Sequence, residues 1–203
     1  MKTVQTTNGY RRSFRGYRRG GKEPGRPGAS GVIVDFTSRA WWTTFHGVVL
    51  GTGFILTLAL VLMVLPGLRE DYLTPEGARR RLLWLRRGLI TMAIVAWLAV
   101  IVGTWVIDPW YHLHQPGSPL ELLLARPHLT FWTDQVMEWK ERISWTAALL
   151  ATAAAYMTVY YGDELLWNHR ARSLMVTMFG GAFGAAVAAG IMGMLLTKVV
   201  PVT

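Results

Sequence analysis

Five histidines, at positions 46, 112, 114, 128 and 169, are the side chains in this sequence best suited to hold a redox cofactor or relay a proton. Neutral imidazole ligates haem iron, bonds a quinone carbonyl and titrates near neutrality. His46 stands apart from the other four. It lies within an apolar run, one turn after Trp41 and Trp42 and next to Gly47. An ionisable group at membrane depth is a functional candidate by default. The plainer expectation is a ring bonded to a neighbouring backbone carbonyl. His112, His114 and His128 share one long loop, which lies on the same side as His46 because the first apolar run begins where the second ends.

These positions define two cofactor readings. A haem b would hang between His46 and one of His112, His114 or His128. Haems of this type usually take one histidine from within each of two spans, and the other three apolar runs contain none. A quinone asks for less: one polar partner, here His46, and aromatic walls, here Trp42. His112-Leu113-His114 beside Asp108 or Glu138 is a weak metal pattern, and histidines exposed at a turn are the commoner outcome. No metal is expected. Other chemistries are excluded by absence. Without cysteine there are no disulfides, thiolate metal sites, iron–sulfur clusters or Cys nucleophiles. The sequence has no phosphate-cradling Gly-rich loop ending in Lys-Ser or Lys-Thr, no His-Glu-x-x-His and no Gly-x-Ser-x-Gly.

The elements that must position these residues are four runs without Asp, Glu, Lys or Arg, at 43–68, 89–107, 143–162 and 173–197. A helix needs about 20 apolar residues to cross ~30 Å of hydrocarbon. Their lengths, 26, 19, 20 and 25 residues, meet that requirement. Buried helices of a soluble bundle would keep a polar face, and these runs are apolar all round. Composition agrees: 52% of residues are hydrophobic and 16% charged, against about 25% charged in soluble domains. The fold expected is all-α, an integral membrane bundle of four transmembrane helices with a basic N-terminal arm (1–42) and an amphipathic surface loop. Small residues at four-residue spacing mark where helices approach closely: Gly47 and Gly51, Ala147, Ala151 and Ala155, and Gly180 with Gly184.

Charge is concentrated outside the runs. Residues 1–42 hold nine basic and two acidic side chains, a local balance of +7 within a chain total of +9. Gly and Pro recur there without apolar periodicity, so alone the arm is expected to be disordered. Arg11, Arg12, Arg15, Arg18 and Arg19 alternate with Tyr10, Phe14 and Tyr17, a pattern that in another setting binds RNA. Tethered beside a bilayer, these arginines are expected to meet the lipid surface or a partner subunit, and no nucleic acid is expected. In the first connection Thr74 is the predicted N-cap, with Pro75 at the first helical position. Arg79, Arg80, Arg86 and Arg87 then form a collar facing lipid phosphates.

The loop at 108–142 is predicted to be structured. Ser118-Pro119-Leu120-Glu121 is a capping box opening a short helix through Ala125. A second helix runs from about Thr133 into the third span. On it Trp132, Val136, Trp139 and Ile143 form one stripe. Asp134, Glu138 and Glu141 form another about 200° away, at ~100° per residue. These acids are candidate contacts for a basic partner, and Glu138 pairs with Arg142 at i, i+4. Seven of the ten tryptophans lie at this end, a lopsided aromatic belt.

The function expected is a non-catalytic membrane subunit of a larger electron-transfer, respiratory or photosynthetic complex, packing on partner helices and helping to wall a quinone, haem or pigment. A haem-carrying redox anchor and a small transporter or channel are the alternatives. The location expected is a bacterial inner membrane, with the N-terminus inside.

Overall fold

The computed structural model describes residues 37–68, 74–114 and 118–199, and no strand occurs among them. Four helices are long and apolar enough to span a membrane: Ser38–Val64, Glu76–Tyr111, Gln135–Tyr160 and His169–Val199. In chain order these are the first to fourth spans. Each begins before its uncharged run, within charged flanking sequence. The second starts at Pro75, where the Thr74 hydroxyl accepts the Gly77 N–H at 3.2 Å. The Ser118 hydroxyl likewise accepts the Glu121 N–H at 3.3 Å and opens the loop helix Pro119–Leu124. Asn168 Oδ1 accepts the Ala171 N–H at 3.1 Å where the fourth span begins. The third span stops at Gly162, whose φ of 51° turns the chain into the left-handed region that favours glycine.

The spans form an open row, a more specific arrangement than a bundle. Extensive contact joins the first to the second, the second to the third and the third to the fourth. The third span is the most enclosed, with 39% of its most apolar window buried against 17% for the first and the fourth. Its Ala148, Ala151 and Ala154 are fully buried. Small side chains there let the helix backbones approach. Gly181 of the fourth span lies so close that an added Cβ would stand 3.1 Å from Leu150 Cδ1. Leu85, Leu89 and Met92 of the second span fill the rest of the core. Trp97 Nε1 donates to Thr152 Oγ1 at 2.9 Å, tying the second span to the third. By contrast, Gly47, Gly51, Gly180 and Gly184, on the two edge helices, would meet nothing within 4 Å if given a Cβ.

Three turns within the helices are π-helical: Phe45–Leu50, Val102–Ile107 and Trp132–Met137. A π turn bonds i to i+5, widens the helix locally and is found disproportionately at functional sites. All three fall at the end of the row where the first span begins and the second ends.

Candidate functional site

At that end the spans bring polar groups inward. His46 lies in the first π turn and Gly103 in the second. The imidazole packs on this glycine, with Cε1 3.3 Å from the place a Cβ would occupy. Only a residue without a side chain lets the ring lie so close to the second span. His46 Nδ1 is buried and has no hydrogen-bond partner among the described residues. The backbone carbonyl expected from the sequence as the ring's partner is therefore not found at Nδ1.

Lys140 projects from the third span into the same region. Its stem crosses Gly193 of the fourth span, with Cε 3.8 Å from a Cβ position there. Nζ stands 3.9 Å from Met137 Sδ, a weak acceptor. The ammonium interacts electrostatically with His46, with Asp108 at the end of the second span and with Glu141 beside it. The Glu141 carboxyl lies within hydrogen-bonding reach of the Asp108 side chain, and its Oε1 is buried. Lys140 thus places a positive charge near two acids without contacting either carboxylate within ion-pair distance. His112 completes the group: Nδ1 lies 3.1 Å from Asp108 Oδ1 and 3.2 Å from the Asp108 carbonyl oxygen. Every span contributes, through His46, Asp108, Lys140 with Glu141, and Gly193.

An aromatic layer borders the cluster. Trp145 makes edge contacts with Trp97 at 5.6 Å and with Trp105 at 6.0 Å. Trp42 meets Phe45 edge-on at 5.9 Å. The Arg39 guanidinium stands 6.0 Å from the Trp110 ring, linking the start of the first span to the end of the second.

The remaining sequence candidates are placed as follows. His114 is exposed, with Nδ1 3.4 Å from Glu121 Oε1. His128 is exposed in the turn Pro127–Leu129. Neither is brought to His46. Glu138 is exposed and pairs with Arg142 at 3.1 Å, as the i, i+4 spacing predicts. Glu141, one turn further on, leaves the exposed stripe and joins the cluster. Asp134 lies in the third π turn, and its side chain is outside the described residues, as are Arg11, Arg12, Arg15, Arg18 and Arg19. Among the described residues no group of three or more His, Asp or Glu side chains is arranged to hold a metal.

Lys140 was not singled out from the sequence, yet a signal was present. It precedes Ala147 and Ala151 by seven and eleven residues, so it continues their small-residue face into the charged flank. A cation on the buried face of a helix, rather than on its exposed face, is the mark of an internal role.

Comparison of the chain with protein-family models, curated proteins and solved structures finds no match.

Proposed function

We propose that this chain is a non-catalytic, multi-pass subunit of a larger electron-transfer complex in a bacterial inner membrane. In this reading its polar cluster forms one wall of a quinone site, and its edge helices pack on partner subunits. The observation that carries the reading is His46. Its ring sits on an edge span, with a buried Nδ1 lacking a partner and the Lys140 ammonium nearby. A quinone carbonyl accepts from an imidazole N–H or an ammonium, and its ring stacks on or abuts aromatic side chains such as Trp42. A haem fits less well. The Nδ1–Cε1–Nε2 side of the His46 ring lies against Gly103, and His112 is engaged by Asp108. The uncovered glycines at 47, 51, 180 and 184 support the partner contacts.

Purification of the full chain from its membrane in mild detergent tests this directly. The outcome expected is co-purifying membrane polypeptides and extractable quinone, with the quinone diminished in His46→Ala. A Soret band abolished by His46→Ala would establish the haem anchor instead. Solute flux by the isolated chain in liposomes, lost on the same substitution, would establish the transporter. We place the N-terminus inside, because moving a +7 arm across the membrane is costly. Since the chain has no cysteine, single cysteines at Thr37 and Asp163 report the two sides by reagent accessibility.

A further inference from the structure

The opposite end of the row carries arginines, and one of them stands over a groove. The groove lies between the second and third spans and is lined by Ile90, Ile94, Trp97, Leu98, Tyr156 and Val159, with Ala93 and Ala155 as its floor. Thr152 in its wall is already bonded: it accepts from the Trp97 indole N–H and donates to the Ala148 carbonyl at 2.8 Å. Nothing in the groove calls for a polar ligand. From Ile90 to Leu98 the wall extends about 12 Å along the helix axis, at 1.5 Å per residue.

The mouth of the groove has the opposite character. At ~100° per residue, Arg79, Leu83, Arg86, Ile90, Ala93 and Trp97 share one strip of the second span. Arg86 therefore stands one turn above the groove. A terminal nitrogen of its guanidinium reaches over the end of the third span, 3.9 Å from a Cβ position at Gly162. Its Nε is buried without a hydrogen-bond partner, and no carboxylate pairs with it among the described residues. The nearest acid at this end with a defined pairing, Asp163, faces Arg79 at 3.7 Å. Arg87 stands beside Arg86, exposed, its guanidinium 5.8 Å from the Trp84 ring. Two cations at headgroup depth above an apolar trough match a molecule with an anionic head and a hydrocarbon tail. A partner helix would fill the trough but leave Arg86 without an anion.

We propose that the groove between the second and third spans binds one anionic phospholipid, its phosphate held by Arg86 and Arg87 and an acyl chain lying against Ile90, Ile94, Trp97 and Tyr156. Arg86 gives the site its depth, because its guanidinium is braced against the Gly162 turn. Arg87 adds charge from the lipid side. The site is independent of the quinone reading, since it lies at the other end of the row.

Native mass spectrometry of the full chain in mild detergent, with phosphatidylglycerol or phosphatidylcholine of identical chains added, tests the proposal. Phosphatidylglycerol is expected to remain bound under activation that strips phosphatidylcholine. Arg86→Gln with Arg87→Gln is expected to lower its retention by about tenfold. Ile90→Trp keeps both arginines and fills the trough, and it is expected to abolish selective retention while leaving the thermal transition in place. Glycerol phosphate is expected not to compete. Equal retention of the two lipids, or retention indifferent to both variants, overturns the proposal. Competition by glycerol phosphate makes this an anion site without a lipid and also overturns it. So does a polypeptide crosslinked from Leu98 in the native membrane at the expense of lipid.

Discussion

At the end where the first span begins, charge is turned inward. Lys140 lies on the buried face of the most enclosed helix, two acids and two histidines gather round it, and three π turns shape the helices there. At the other end charge, apart from Arg86, is turned outward. Arg79 and Asp163 meet as an exposed pair, Arg80 and Arg87 face the surroundings, and the helices are regular up to the Gly162 turn. Both ends carry charged and aromatic side chains, and they differ in direction. Inward charge costs desolvation and must be matched group by group. Outward charge costs little and contributes little to folding. An internal charged cluster in which buried atoms such as His46 Nδ1 stand without a partner is therefore a better guide to function than a larger number of surface arginines.

The comparison makes its strongest prediction at Lys140. Lys140→Met removes the positive charge that acts on Asp108 and Glu141, and leaving those acids without a nearby cation should cost about 3 kcal/mol of stability. Thermal denaturation in detergent measures it, and adding Glu141→Gln should recover part of the loss. A variant as stable as the parent would show that the inward end is not matched in this way. Next comes a contrast within one helix. Gly181→Val would press on Leu150 and should lower stability by about 1–3 kcal/mol. Gly180→Val meets open space; it should leave stability unchanged and weaken retention of partner subunits. Equal effects on stability at the two positions would remove the distinction between covered and uncovered faces. At the outward end Gly162→Ala places a Cβ at φ 51° and should cost about 1–2 kcal/mol. The smallest effect belongs to Arg79→Ala, which breaks an exposed ion pair and should change stability by less than about 1 kcal/mol.

Much of the fold is legible in the sequence because long apolar runs and helix caps leave simple signatures. Four uncharged runs gave four long helices, and Thr74, Pro75 and Ser118 marked helix starts through their own hydrogen bonds and fixed dihedrals. Glu138 and Arg142 followed from helical spacing. The row was not legible, because hydropathy and small-residue spacing say which faces are smooth but not which helix covers them. Ala151 and Gly180 sit in similar motifs, and one is buried while the other meets open space. The site was half legible. His46 announced itself by being alone in an apolar run. Lys140 and Glu141 did not, since they fall just outside such a run and resemble the charged flank that any membrane helix carries. Their inward direction depends on Gly193 and on the position of Asp108, residues far away in sequence. The π turns left no residue signature, and the 3.6-residue period cannot foresee them.

The order of the row bears on how the molecule is made. Because each helix rests on the one synthesised just before it, assembly can follow the ribosome hairpin by hairpin, with no long-range contact to await and little loop entropy to overcome. The two outer members of the row then finish with one flank uncommitted.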